Sequence, residues 1–307
     1  MMKRLVLILF LCSTCCAQFN GVKPTFGTQI QNWPKGLVGY WLFNEMTGTW
    51  VNDLSGNGNH GTITGAAWVG GKFGPCLDFE ATSAAHYINV GAGPTLNITG
   101  DHTIVAWVKG EAIAGSAAVF SKVQNSGAFP GYVLHWVNSG QLRYYNAGCG
   151  FIYSTDFGLG YFNGQWHQIA VAVDVDVGGR FYVDGKLAGS WSDTTSVPGL
   201  YTGDGWIGRN YAGQYYDGLI DSVSVYGLAL LANDIAQLYY DTFWMFRDEP
   251  SSMWVTAAAP PAGGSAQVII IAKAAVPIVF PLAVILSMAV LMRRERNVKS
   301  TKGSSIC

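Results

Sequence analysis

From residue 36 to residue 247, short apolar runs alternate with turns rich in glycine, asparagine and aspartate. In Gly39-Tyr40-Trp41-Leu42-Phe43, Trp41 and Phe43 lie two positions apart and share one face of an extended segment. The same period places Ile104, Ala106 and Val108 on one face of residues 102–109, and Ile169, Val171 and Val173 on one face of residues 165–175. Half-buried strands alternate in this way because successive side chains leave the pleated backbone on opposite sides. Residues 180–188, Arg-Phe-Tyr-Val-Asp-Gly-Lys-Leu-Ala, predict a hairpin closed by the Asp184-Gly185 turn. Only residues 230–240 have helical spacing, through Ile235, Leu238 and Tyr239. Strand after strand without βαβ alternation predicts an all-β fold, a jelly-roll sandwich of two antiparallel sheets.

Two apolar runs stand outside that pattern. Lys3 and Arg4 precede an uncharged stretch from Leu5 to Leu11 and then small residues to Ala17, which predicts a secretory signal over residues 1–17, cut after Ala17. A buried N-terminal helix is the alternative. A lipoprotein reading of Cys12, Cys15 or Cys16 lacks the Leu-small-small-Cys order. Residues 18–35 are expected to be a linker, and 248–266, with Pro260, Pro261, Gly263 and Gly264, a second one. Residues 267–292 are expected to form one C-terminal transmembrane helix, uncharged from Ala274 to Met292. Nineteen such residues span roughly 28 Å at about 1.5 Å each, close to a bilayer core. Arg293, Arg294, Arg296, Lys299 and Lys302 follow in the tail 293–307, which places the tail in the cytoplasm and the body outside. The alternative, a buried helix, would leave a long apolar cylinder beside a β domain.

Composition narrows the picture. With 12% charged and 50% apolar residues the chain is not disordered along its length, and its 39 glycines follow no collagen period. Residues 18–265 hold 10 Lys and Arg against 18 Asp and Glu, a net −8, with no basic stripe, so nucleic acid is not an expected partner. Beyond the signal only Cys76, Cys149 and Cys307 remain. Cys76 and Cys149 are the one extracellular pair that could form a disulfide, with two separate thiols as the alternative.

Several blocks resemble the laminin-G-like family of concanavalin-A-like jelly rolls. The opening strand Gly36-Leu-Val-Gly-Tyr-Trp-Leu-Phe43, the loop Asp53-Leu-Ser-Gly-Asn57-Gly-Asn59-His60-Gly61 and Gly71-Lys-Phe-Gly74 before Leu77-Asp-Phe79 come in family order. Trp166-His-Gln168, Phe181-Tyr-Val-Asp-Gly185, Ile207-Gly-Arg209 and Asp217-Gly-Leu-Ile-Asp221-Ser-Val223 continue it. The resemblance covers residues 36–241 and implies two curved antiparallel sheets with glycan or protein ligands; it does not name one ligand. Leu231 stands where the family has Ser or Thr at the start of the last helix, so the helix is expected to start two residues later, capped by Asn233.

One carboxylate carries a physical argument. Period two places Asp221 on the apolar face of Leu219, Val223 and Val225, so it must be paired, hydrogen-bonded or metal-bound. No basic residue is near in sequence, Arg209 being the closest. The loop 53–61 offers a carboxylate, two Asn side chains and flexible carbonyls, a donor set suited to calcium. The resemblance implies a structural calcium held by Asp53 and Asp221, with Asn57 and Asn59 as weaker ligands. The alternative is metal-free, with Asp221 accepting N–H groups of that loop. The Gly56-x-Gly58-x-x-Gly61 spacing lacks a following helix and reads as turn chemistry, and His60 as loop packing.

Tyr201, Trp206, Tyr211, Tyr215 and Tyr216 crowd residues 201–216, and Arg143, Tyr144 and Tyr145 form a second cluster. Aromatic faces stack on sugars and also make protein hot spots. Tyr144, Tyr145, Tyr211, Tyr215 and Tyr216 are therefore the candidate ligand residues, although Tyr144 and Trp206 also suit a strand core. Glycoside hydrolysis needs two placed carboxyl groups. Residues 18–248 contain only Glu45, Glu80 and Glu111 as glutamates and no Glu-x-Asp-x-Glu strand, while Asp174 and Asp176 read as a solvated turn. No catalytic serine, zinc or phosphate motif appears, and Asn97-Ile-Thr99 is a formal glycosylation sequon. The expected protein is not an enzyme. It is a membrane-tethered extracellular module that binds carbohydrate, with a protein-binding adhesion module, including one encoded by a virus, as the rival and a hydrolase third.

Overall fold

The computed structural model describes residues 23–24 and 34–246, apart from 82–84, 112–114, 125–129, 138–139, 156–163 and 194–196. The expected signal (1–17), second linker (248–266), membrane span (267–292) and basic tail (293–307) lie outside the described residues. No helix among the described residues is long and apolar enough to cross a membrane.

Two eight-stranded sheets face each other. The first runs β14 (Lys186–Trp191), β13 (Gly178–Val183), β12 (His167–Asp174), β7 (His102–Gly110), β16 (Gly218–Tyr226), β5 (Pro75–Phe79) and β4 (Ala67–Gly70), and β1 (Leu37–Trp41) also pairs with β16. The second runs β11 (Gly150–Tyr153), β10 (Leu142–Asn146), β9 (Gly131–Val137), β8 (Ser116–Val123), β15 (Gly205–Ile207), β6 (Tyr87–Gly91), β3 (Gly61–Thr64) and β2 (Trp50–Val51). Every pairing is antiparallel. The fold is thus all-β and jelly-roll-like, as the alternation predicts.

The alternating sets form the core. Ile104, Ala106, Val108, Ile169, Val171 and Val173 pack against Phe120, Leu134 and Trp136 of the opposite sheet. Burying each larger aliphatic or aromatic side chain is worth roughly 1.5–3 kcal/mol. The outer face of the first sheet is covered as well. Val105, Trp107, Ala170, Ala172 and Tyr182 pack with Ile235 and Leu238 of helix α1 (Ala232–Tyr240), and with Phe243 and Met245 after it. Apolar on both faces, β7 and β12 read as near-continuous hydrophobic runs.

Three local features bear on the site. Asp184 (φ 50°) and Gly185 (φ 72°) close the β13–β14 hairpin in the left-handed region, as their pairing predicts. Helix α1 begins at Ala232 with Leu231 as its cap, not at Asn233. The Asp234 carboxylate accepts the Leu231 N–H at 3.1 Å, and the Thr103 hydroxyl accepts the Leu230 N–H at 2.9 Å, so other residues fix the entry that a Ser or Thr would have capped. Finally, β16 shifts register between Ile220 and Ser222. Asp221 is the extra residue of this bulge, which inverts the expected facing: Ile220, not Leu219, joins Val223 and Val225 in the core.

Candidate functional site

The outer face of the second sheet has no helix over it among the described residues. Residues in register there form one row across all eight strands: Phe151, Tyr145, Val133, Ser121, Trp206, Asn89, Thr62 and Trp50. Phe151 is 54% exposed at one end and Trp50 49% at the other, with Tyr145 and Trp206 half-buried between them. Period two explains the row, since the neighbours Ile152, Tyr144, Leu134, Phe120, Ile207 and Ile88 point the other way into the core.

A loop, residues 208–217, crosses the middle of the row. The Ser121 hydroxyl donates to the Arg209 carbonyl at 2.6 Å, and Tyr211 packs on Ala118, Val123 and Val133. Asn210 braces the loop. Its Oδ1 accepts the N–H groups of Ala212 (2.9 Å) and Gln214 (3.1 Å), and its Nδ2 donates to Gln214 Oε1 at 2.7 Å and lies 3.1 Å from His135 Nε2. Each side of the loop carries a guanidinium against aromatic rings. Arg143 lies 4.6 Å from the Phe151 ring centroid; Arg209 lies 4.6 Å from Tyr87, 5.4 Å from Trp206 and 5.6 Å from Tyr215. Such contacts hold a ring at a fixed angle while leaving one face for another partner.

The structure sorts the aromatic candidates. Tyr145, Tyr211 and Tyr215 belong to this face and are partly exposed. Tyr144 and Tyr216 do not: both are fully buried, Tyr144 stacked on Trp191 and Tyr216 edge-on to Phe79. In β10 the residues alternate, so only one of Tyr144 and Tyr145 can face out. Trp206, which also suited a core, lies on the open face. Trp50, Tyr87, Phe151 and Arg209 complete the face without having been singled out; the Phe151-x-Tyr153 alternation around Ile152 was the available signal. Asp174 ends β12 and accepts the Asp176 N–H at 3.0 Å, an ordinary turn. His60 accepts the Asp53 N–H at 3.2 Å through Nδ1 and packs on Trp50, as a loop residue would.

A family model described as Laminin_G_3, concanavalin A-like lectin/glucanases superfamily, matches residues 82–236. The chain belongs to that superfamily. No curated protein matches it by sequence. Among solved structures, the binding domain of Paraclostridial Mosquitocidal Protein 1 superposes with a TM-score of 0.56 at 17% identity, over 66% of this chain and 52% of that one. Domain 4 of a GH43 extracellular arabinanase from Geobacillus stearothermophilus, in complex with arabinotriose, gives 0.51 at 20% identity, over 66% and 98%. Trypanosoma rangeli sialidase in complex with sialic acid gives 0.52 at 17% identity, over 70% of this chain but only 34% of the sialidase. This lectin/glucanase-superfamily chain thus spans about half or less of two of these proteins, and the likeness is one of fold.

The calcium implied by the resemblance needs the oxygens of Asp53, Asn57, Asn59 and Asp221 to converge, and the hydrogen bonds of this superfamily chain divide them. Asp53 Oδ1 accepts the N–H groups of Tyr40 (2.9 Å) and Ser55 (2.9 Å), and Oδ2 that of Asn59 (2.8 Å). Asn59 Nδ2 donates to the Val38 carbonyl and the Thr95 hydroxyl, and the exposed Asn57 donates to Ser55 and to the carbonyls of Leu37 and Val38. Asp221 is fully buried as expected, but at a bulge that breaks the period, and it is not clamped to that loop. Its Oδ2 accepts the N–H groups of Lys72 (2.8 Å) and Phe73 (3.2 Å), and its Oδ1 lies 2.6 Å from Lys23 Nζ. Asp53, Asn57 and Asn59 therefore share one network of the loop 53–61, and Asp221 belongs to another. Among the described residues, no group of three or more His, Cys, Asp or Glu side chains could hold a metal. Lys23 lies in the expected linker 18–35 yet is buried in the fold. The disulfide also needs correcting: Cys76 lies in β5 of the first sheet and Cys149 at the β10–β11 turn of the second, unjoined. Burial and the Asp221 charge push the Cys76 thiol up to about 12, which leaves it unreactive.

Proposed function

We propose that this chain is a non-catalytic binding module that takes carbohydrate on the outer face of its second sheet. The observation that carries the reading is the cross-strand row from Phe151 to Trp50, with half-buried rings on both sides of the loop 208–217. Rings fixed in register stack on sugar faces at roughly 1 kcal/mol each, and Arg143, Arg209 and Asn89 supply donors for hydroxyl or carboxylate groups. The arabinotriose bound to the arabinanase domain, whose length the match nearly covers, supports carbohydrate as the ligand class. Presentation outside a membrane, through a span at 267–292, belongs to the same proposal; membrane fractionation with and without that segment tests it.

A glycan array probed with the full chain tests the ligand. Hits should fall more than about tenfold, roughly 1.4 kcal/mol, on Tyr145→Ala and on Tyr215→Ala, with unchanged melting temperatures. Binding that survives both substitutions rejects this face. Capture of a protein partner without any glycan hit favours the adhesion reading, and turnover of a bound polysaccharide would establish an enzyme.

A further inference from the structure

Asp221 takes its partners away from the loop 53–61, yet the pocket beside it is built as a cation site. Oxygens from three separate segments converge on one point: Asp221 Oδ1 at 2.6 Å, the Asp221 carbonyl at 3.0 Å, the Phe43 carbonyl at 3.3 Å and the Pro75 carbonyl, all around Lys23 Nζ. Phe43 has φ 54°, a costly conformation for a non-glycine residue, and this non-glycine left-handed turn ends the strand just where its carbonyl meets the ammonium. Glu45 Oε2, buried and without a hydrogen-bond partner among the described residues, belongs to a side chain whose charge also acts on Lys23. Lys23 is anchored beyond its tip: its N–H donates to the Phe73 carbonyl at 2.9 Å, and Asn44 Nδ2 donates to the Pro24 carbonyl at 2.9 Å. Carbonyls that converge on one point repel one another unless a positive charge lies between them. A carboxylate with several backbone carbonyls is the mixed oxygen set that a hard divalent ion takes.

We propose that this pocket is a cation cage whose resident cation is the Lys23 ammonium, carried in on the N-terminal segment in place of a dissociable divalent ion. The module then folds without calcium while Lys23 is in place, and a chain lacking the ammonium opens a site for calcium. This inference does not depend on the ligand of the open face.

Thermal melts of the full chain in EDTA and in about 5 mM calcium test it, since an ion that binds the folded state raises its melting temperature by mass action. The wild type should melt at the same temperature in both; a rise of more than about 2 °C in calcium means that the ion competes with Lys23 and overturns the proposal. Lys23→Ala should melt lower in EDTA and recover by at least about 5 °C in calcium, and no recovery overturns the proposal. Lys23→Met, which fills the space without charge, should melt lower and not respond; a calcium response equal to that of Lys23→Ala places the ion elsewhere and overturns it too. Should Lys23→Ala fail to fold as made, refolding from urea only in calcium supports the cage, and failure in both conditions counts against it. Acylation of the native wild type gives an independent reading. Lys23 should resist the reagent, and modification as fast as the exposed lysines overturns the cage.

Discussion

A methyl group on Gly71 would lie 2.5 Å from Oδ2 of Asp221 and 2.6 Å from Cβ of Cys76. The turn of residues 71–74 wraps so tightly around the carboxylate that only glycine fits there, which gives the Gly-Lys-Phe-Gly block a physical reason: its next two N–H groups solvate Asp221. Gly71→Ala is expected to lower stability by about 2–4 kcal/mol, read as a shift in urea midpoint, because it overpacks the turn and loosens a buried charge. Gly70, one residue earlier, has open space around it, and Gly70→Ala should stay within about 0.5 kcal/mol of the wild type. Equal midpoints for the two variants would refute the tight turn. At this scale the sequence shows that Asp221 is buried, since apolar neighbours alternate around it. It does not show the partner, because 198 residues separate Lys23 from Asp221 and no periodicity reports such a contact. Nor does it show the bulge, which changes the facing of Leu219 and Ile220 while leaving Asp221 inside.

At the level of elements, legibility follows how local the cause is. The Asp184-Gly185 hairpin is written in two residues, and the paired core strands β7 and β12 in their alternation. The start of α1 is less local. Leu231 has an extended backbone (φ −74°, ψ 159°), is 71% exposed and offers no side-chain acceptor, so the entry rests on Asp234 and Thr103. Leu231→Ser supplies the missing oxygen to the first turn and is expected to stabilise the protein by about 0.5–1 kcal/mol, while Asp234→Ala, which removes the reciprocal bond, costs a similar amount. Both are read as melting-temperature changes of a few degrees. A Leu231→Ser variant no more stable than the wild type would place the cap elsewhere. The aromatic clusters are half legible for a related reason. Composition brings Tyr144 and Tyr145, or Tyr215 and Tyr216, to notice as pairs, and only the pairing register decides which of each pair faces out.

At the scale of the whole molecule, burial lowers the pKa of two histidines, His102 and His135, and together they are expected to set the loss of stability in acid. His102 lies between the sheets, with Nδ1 2.8 Å from the Gly100 carbonyl and Nε2 2.8 Å from the Tyr144 hydroxyl. A carbonyl only accepts, so this network puts the proton on Nδ1; Tyr144 donates to Nε2 and accepts from Asn146 Nδ2 at 3.0 Å. Burial holds His102 down to about 4, against a small upward pull from the Gly100 carbonyl and Asp101. His135 lies under the loop 208–217, its Nε2 facing Asn210 Nδ2; burial, helped by the Arg143 charge, holds it down to about 3. In the unfolded chain both revert to near 6.5. Below that value the unfolded state binds more protons than the folded one, so their stabilising effect is complete above about pH 6.5 and is lost as the pH falls toward the folded values. At about pH 5 the loss is on the order of 2 kcal/mol per histidine, at about 1.4 kcal/mol per pH unit. Urea midpoints at about pH 7.5 and about pH 5 measure it. His135→Gln removes the titrating group from the loop side and His102→Gln from the sandwich interior, and each should shrink the difference between the two pH values by a similar amount. A difference that stays the same in the wild type and both variants would mean that neither ring carries the acid response; Asp78, whose pKa burial raises, binds its proton more readily in the folded state and opposes the loss.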